Sequence, residues 1–345
     1  MRITIEEISS ASKWAELEDE WHELLSSSDE NDLFLTFDWL YSWWATYGEG
    51  RKMRLIIARE NDAIVGVAPI MISSIGKLLK LRIAEFIGTG PSDHLGIILK
   101  EGRRDVAQAI WMHLNDLDDW DIMDLRDMRS DLSTACSLTQ TSLEAEREEN
   151  VDPYIPLRGD FERYMRSLSK SYKHNIERSW RRLNEEHMVR VEAIKSPERM
   201  KEAFDILLAL NSLRWQGRGK STLESPPMRE FLKNALRRLA PKNNVVFHVL
   251  YAEEVAISIT LGFHYGGRYL YYLSGFNPEY HNFGPGRCLL AKIIQDSYEQ
   301  GLKEVDLLRG NEDYKFRFNP EQRKLLRFRT KKKGVRAGLS ELVGI

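Results

Sequence analysis

The sequence predicts an α/β protein of mixed sheets flanked by helices, arranged as two successive halves of similar architecture. Three observations carry that expectation. The chain of 345 residues exceeds one typical domain and suits two, each large enough to bury its own core. Short runs rich in Ile, Val, Leu and Tyr alternate with stretches whose apolar residues recur every three or four positions. The order of these segments in the first 150 residues is met again after residue 188, without evident sequence identity, which points to a duplicated fold.

In the first half, residues 1–150, Arg2 to Ile8 reads as a strand, and a polar cluster then opens a helix carrying Trp14, Leu17, Trp21 and Leu24. Phe37 to Tyr47 spaces Trp39, Leu40, Trp43 and Trp44 as a helix with a broad aromatic core face. Met53 to Ala58 and Ala63 to Ile72 pair across Asn61-Asp62, a turn-forming dipeptide between β-rich runs. Arg82 to Ile87 as strand, Arg104 to Leu114 as helix and Asp121 to Leu125 as strand complete the order β-α-α-β-β-β-α-β.

A polar stretch from Ser130 to Asp152 and the extended Pro153-Tyr154-Ile155-Pro156 lead into residues 151–187, read as a linker with a helix from Phe161 that continues, with a break, to Glu186. Leu168, Tyr172, Ile176, Trp180 and Leu183 form one face; Lys170, Lys173, His174, Arg178, Arg181 and Arg182 occupy the rest, so the helix is amphipathic and basic. In the second half, residues 188–345, Val189 to Ile194 is a strand, Ser196 to Trp215 and Pro226 to Leu239 are helices, and Val245 to Tyr251 with Ala256 to Tyr265 form a hairpin. Tyr269 to Ser274 adds a third strand. A helix from Arg287 to Gln300, a strand Glu304 to Leu308, a short helix near Asp313 and a last strand around Leu325 to Arg329 follow, and Lys331-Lys332-Lys333 reads as a frayed, solvated end.

Composition excludes several classes. With 42% hydrophobic and 30% charged residues the chain has the make-up of a folded soluble protein. The net charge of −2, from 50 Lys+Arg against 52 Asp+Glu, gives no global basic field, so DNA is not an expected partner and any polyanion must meet a local patch. The amino terminus lacks the pattern of a secretory signal, and no apolar run approaches the ~20 residues of a membrane helix, so a cytoplasmic location without a transmembrane segment is expected. Cys136 and Cys288 lie in different halves without zinc-type spacing, which implies reduced thiols and no metal site.

Chemistry concentrates in Tyr280-His281-Asn282-Phe283-Gly284-Pro285-Gly286-Arg287, between a strand and a helix. Two glycines at a helix start let backbone N–H groups converge without Cβ atoms in the way, and the helix terminus adds about half a positive charge. Such a nest suits a diphosphate. Pro285 stiffens the loop without offering a donor. The dinucleotide fingerprint would need a third glycine where Leu289 stands, and the Gly-Lys-Ser/Thr of a P-loop is missing.

His281 to Gly286 resembles the GNAT acetyltransferase signature [Q/R]-x-x-G-x-[G/A], with His281 in place of the usual Gln or Arg. Asp306-Leu307-Leu308-Arg309-Gly310-Asn311-Glu312-Asp313-Tyr314-Lys315 is similar to the Asp-Phe-Gly-Arg-Gly-x-Glu-x-Tyr-Lys signature of the CelD-like acetyltransferases, a tandem-GNAT family named for a link to cellulose synthesis and related in fold to Fem-type aminoacyl transferases. Leu307-Leu308 here replaces Phe-Gly. The resemblance extends to the basic helix, the Trp-rich first half and the region of Pro69 and Ser92-Asp93, and is most specific between residues 245 and 330.

The resemblance implies two tandem GNAT-like domains. It places acetyl-CoA or another acyl-CoA, as co-substrate, in a V-shaped opening between Tyr269–Ser274 and Glu304–Leu308. Leu273, Ser274 and Gly275 would then hold the pantetheine arm and polarise the thioester, with His281, Phe283, Gly284, Gly286 and Arg287 around the diphosphate. The first half has no equivalent loop and is not expected to bind coenzyme A in this way. Tyr314 is the candidate acid for the departing thiol, and Asp306, Glu312 and Asp313 are candidate bases, Asp306 the best located. Lys315 is an alternative oxyanion partner, as in Fem-like relatives. Asp93, His94, Arg309 and Glu312 are candidates for holding a small-molecule or saccharide acceptor, such as a sugar, nucleotide-sugar or envelope precursor. A Fem-like reaction using aminoacyl-tRNA, with the basic helix on the tRNA, and a non-catalytic component of a polysaccharide system stay open beside acyl transfer. A homodimer is compatible with each of these.

Overall fold

The computed structural model describes residues 3–76, 81–139, 146–216 and 219–332, which fall into one unit from Met1–Val151 with Arg323–Ile345 and another from Asp152–Gln322. In the first unit β1 (Thr4–Ile8), α1 (Ala11–Ala15), α2 (Glu18–Ser26), α3 (Phe37–Tyr47), β2 (Lys52–Glu60), β3 (Ala63–Ile75), β4 (Leu81–Phe86), β5 (Ile98–Leu99), α4 (Arg104–Asp116), β6 (Ile122–Arg129) and α5 (Ser133–Thr139) follow one another. Its sheet runs β1-β2-β3-β4-β6, antiparallel except for the parallel pair β4 and β6, with β5 beside β3.

Local sequence explains these elements. Thr36 caps α3 by accepting the Trp39 N–H at 3.3 Å. Asn61 and Asp62 both take positive φ, 49° and 65°, which turns β2 tightly into β3. Trp14, Trp21, Phe34, Phe37 and Trp39 are at most 1% exposed, and several of their rings meet edge to face. The indole N–H groups of Trp21 and Trp39 donate to Leu35 O and Ser92 Oγ, each at 2.9 Å, so burying them leaves no orphan donor. The first part of the polar stretch after Ser130, as far as Thr139, is more ordered than its composition suggests. It forms α5, because Thr134 and Ser137 spend their polarity internally, on Glu30 and Ile97 and on the Trp111 indole.

In the second unit β7 (Glu146–Pro156, from Asp152 onward), α6 (Phe161–Ser167), α7 (Lys170–Glu186), β8 (Val189–Ile194), α8 (Met200–Trp215), α9 (Pro226–Leu239), β9 (Val245–Ala252), β10 (Val255–Tyr265), β11 (Arg268–Phe276), α10 (Pro285–Glu299), β12 (Glu304–Asp306) and α11 (Asp313–Phe316) form a sheet of order β7-β12-β11-β10-β9-β8. All its pairs are antiparallel except β11 with β12. Both faces are covered. On one, α6, α7 and α10 bury Val246, Leu250, Ile257, Tyr269 and Tyr271. The helix α8 also packs on β10 and β11 but contributes nothing to that cluster, so it lies on the opposite face.

Sequence order assigns the last strand to the second half, and the structure differs. The strand β13 (Glu321–Lys331) pairs with β6 in the first unit, from Leu325↔Arg129 to Lys331↔Ile122. Its buried Leu325 and Phe328 and the Arg327–Asp124 hydrogen bonds of 2.8 and 2.9 Å hold it there. Lys331 therefore belongs to a strand and Lys332 stacks on Trp120 at 4.9 Å, instead of fraying into solvent; Lys333 lies outside the described residues.

Candidate active site

The parallel pairing of β11 with β12 lasts only from Arg268↔Glu304 to Leu270↔Asp306. From Tyr271 to Phe276, β11 pairs only with β10 among the described residues. The sheet therefore opens on that side of β11. A register shift opposite Leu261 and Gly262 leaves Tyr272 as the extra residue of a bulge, which frees ladder groups and re-aims the strand.

The exit from β12 is built to turn away. Leu308 and Gly310 have φ of 60° and 133°, and at Gly310 a Cβ would meet Glu312 Oε2 at 2.3 Å. Asp306 accepts the Leu308 N–H at 2.9 Å. The buried Lys315 Nζ donates to Leu308 O at 3.0 Å and Arg309 O at 2.9 Å, and pairs with Glu312 at 2.9 Å. A left-handed leucine costs roughly 1–2 kcal/mol, which these buried bonds offset.

The start of α10 faces the opening. Gly284 is its left-handed N-cap, φ 60°. The first amide to close on that cap is Cys288, 3.1 Å from Gly284 O. The N–H groups of Gly286 and Arg287 precede it without backbone partners among the described residues. A Cβ at Gly286 would meet nothing within 4 Å. Arg287 donates to Ser179 Oγ on α7 at 2.6 Å, while its Nε is buried without a partner.

A cleft of about 320 Å³ joins these features. The strand β11 supplies Tyr271, Ser274 and Phe276, α10 supplies Gly286, Arg287 and Leu290, and Tyr172, Arg214, Tyr314 and Phe318 close it. Arg214, from α8, donates through Nη1 to Ser274 Oγ at 2.8 Å and Ser274 O at 3.3 Å. The buried Asn211 donates to the same carbonyl at 3.0 Å and is itself held by the Ser221 hydroxyl. Burial pushes the Tyr314 phenol well above its usual range, with Tyr271 and Glu312 adding to the rise and Arg214 opposing it. Tyr314 therefore keeps its proton at neutral pH. Burial likewise raises Tyr172, to about 12.

Of the residues expected from sequence, the cleft brings together Ser274, His281, Gly284, Gly286, Arg287 and Tyr314. It does not include Leu273 or Gly275. The latter makes room for α8, since a Cβ there would stand 2.6 Å from Asn211 N. Phe283 instead packs under Arg182 at 5.0 Å and against His187 at 5.4 Å. Asp306, Lys315, Arg309 and Glu312 also lie outside its lining; Asp306 is fully buried, so the structure gives the carboxylate expected to act as base no exposure to an acceptor. In the first unit His94, a candidate for holding the acceptor, is buried, 3.0 Å from Asp32 Oδ2 and edge-on to Phe34. Sequence reasoning missed Arg214, Tyr172, Tyr271, Phe276, Leu290 and Phe318 as cleft residues. Only the aromatic crowding of β11 hints at any of them.

Residues 170–316 match a family model described as an acetyltransferase (GNAT) domain. No curated protein matches the chain. Among solved structures, the chain is similar to FemX, with 11% identity, 100% of both chains covered and a TM-score of 0.69. It is similar to the C-terminal domain of a putative lysylphosphatidylglycerol synthetase from Agrobacterium fabrum, with 10% identity, 95% of each chain covered and a TM-score of 0.56. A tandem GNAT protein from the clavulanic acid biosynthesis pathway gives 11% identity, 96% of this chain and 100% of that one, and a TM-score of 0.50. At such identities the likeness is one of fold, and the fold is a tandem of GNAT-like α/β halves whose second half holds the split sheet and the cleft.

Proposed function

We propose that this chain is an acyltransferase that moves an acetyl or longer acyl group from coenzyme A to an amine or hydroxyl of a sugar, nucleotide-sugar or envelope precursor, as the CelD-like resemblance implies. The observation that carries it is the meeting, in one cleft, of the opening beside β11 and the unpaired amides that start α10. The residues fit coenzyme A on three counts: vacant space beyond Gly286, an orphaned Arg287 Nε and a mostly apolar wall for a pantetheine arm.

The thioester supplies an activated acyl carbon. The amides of Gly286 and Arg287, with the guanidinium, hold the diphosphate at the helix terminus. Tyr314 keeps a proton available for the departing sulfur. The edge of β11 around Ser274, pinned by Asn211 and Arg214, fixes one wall against which the acyl group is held. No described helix is long and apolar enough to cross a membrane, so this reading has the donor and acceptor meet without a membrane-spanning helix in the described chain.

Calorimetric titration with acetyl-CoA and longer acyl-CoAs tests the site. Binding in the micromolar range, roughly −8 kcal/mol, is expected. In Gly286→Val it should vanish, because a Cβ there meets no protein atom within 4 Å and the branched side chain beyond it takes up space that lines the cleft. Equal affinity in both proteins discards the site. The aminoacyl-tRNA alternative needs free cations on α7, yet Lys173, Arg181 and Arg182 each face a glutamate at i+4. Salt-sensitive tRNA binding lost on mutating Lys170 and Arg178 would revive it.

A further inference from the structure

We propose that Arg214 is the receptor for an acidic group, carboxylate or phosphate, on the acceptor; this deepens the acyltransferase reading and rests on it for the naming of the two substrates. The cleft has two cationic poles, on opposite faces of the sheet. Arg287 and the start of α10 form one, on the α7 side. Arg214 on α8 forms the other, because α8 packs on β10 and β11 yet shares nothing with the cluster that α6, α7 and α10 build. A gap in the sheet is what lets both poles line one cavity. With the diphosphate assigned to the first pole, the second is left for the other substrate.

Arg214 is partly buried, and its hydrogen bonds all leave from Nη1, toward Ser274. Its Nε and Nη2 have no hydrogen-bond partner, its guanidinium lies over the Phe276 ring at 5.8 Å, and no carboxylate is within ion-pair distance of it, among the described residues. A guanidinium drawn from water is costly unless an anion completes its donors, and its planar fork fits a carboxylate or a phosphate. It is also held in advance. Asn211 and Ser221, both buried, fix the Ser274 carbonyl to which Arg214 is tied. An acid bound there would stand beside Tyr314, which also lines the cleft, placing the acceptor's nucleophile near the bond that breaks.

The test uses the full chain saturated with free CoA, titrated calorimetrically with glucosamine, glucosamine 6-phosphate and muramic acid, which carry no acid, a phosphate and a carboxylate. At least one acidic sugar should bind tenfold or more tightly than glucosamine, and which one does so identifies the acid. Arg214→Met should erase the preference, Arg214→Lys should keep part of it, and CoA affinity should stay within twofold in both. Equal binding of neutral and acidic sugars, no binding of either acidic sugar, or a preference that survives Arg214→Met overturns the proposal. Failure of CoA to bind the unaltered protein would sink the acyl-CoA reading separately, and the same three titrations without CoA would still decide on Arg214.

Discussion

Lys315 stands in a motif that looks catalytic, but the structure gives it a different task, and Lys315→Met separates the two. Lys315 is only 4% exposed, and its ammonium bonds to Leu308 O and Arg309 O at 3.0 and 2.9 Å. Methionine fills the stem's volume and removes both bonds. Hydrogen bonds to a charged group contribute about 1.5–3 kcal/mol each, and the carbonyls would be left in a buried turn. The Glu312 pair adds little, because that carboxylate is 55% exposed. Allowing for relaxation, the variant should lose about 3 kcal/mol, on the order of 6–12 °C in melting temperature. Urea unfolding followed by circular dichroism measures the loss, and acetyl-CoA titration below the transition should show affinity within a few-fold of the parent. A variant with stability within about 0.5 kcal/mol of the parent and turnover reduced a hundredfold would refute this reasoning, since that is how a lysine acting on substrate behaves.

Tyr314→Phe should lower turnover about 10²-fold with acyl-CoA affinity nearly unchanged, read as thiol release against calorimetric binding; unaltered turnover removes Tyr314 from the acid role. Gly275→Ala drives a Cβ to 2.6 Å from Asn211 N and 2.7 Å from Leu210 C, both backbone atoms, so α8 must shift and about 1–3 kcal/mol of stability should be lost in urea unfolding. Burial lowers His248 to about 3 and His264 to about 4. The unfolded chain takes up these protons near pH 6.5 and the folded chain does not, so their stabilising effect is complete above pH 6.5 and fades as pH falls toward about 4 for His264 and about 3 for His248. His248 alone should account for about 2 kcal/mol between pH 7 and pH 5, and His248→Asn should remove that part of the slope; an identical pH profile in the variant would contradict the assignment.

Much of the fold was legible because the signals are local. The bounds of α3 and α9 are those read from periodicity, since Thr36 caps one helix and Pro226 opens the other. The left-handed pair Asn61 and Asp62 is likewise written in the dipeptide. What failed depends on partners far away in the chain. The strand β13 has an ordinary alternating pattern that fits any sheet edge, and only Asp124 and the strand carrying it decide where it docks. The helix α5 is polar by composition, yet its hydroxyls answer buried groups 26 and 37 residues distant, and its Thr134 amide answers Glu30, 104 residues away.

The candidate site divides along the same line. Gly284 and Gly286 could be read because what they supply, a positive φ and a missing side chain, is a property of the residue type itself. Asp306 and Lys315 could not, because a carboxylate and an ammonium suit a turn as well as a reaction. Here the first accepts an amide and the second binds two carbonyls, and together they hold Leu308 in a conformation that ends β12. That has a chemical consequence. The opening exists only because β12 stops at Asp306 while β11 runs on to Phe276, so residues outside the cleft lining set its width. Arg214 escaped notice for the converse reason. An arginine near the end of a helix is unremarkable until the strand beside it loses a neighbour, and then it lines the space which that loss leaves.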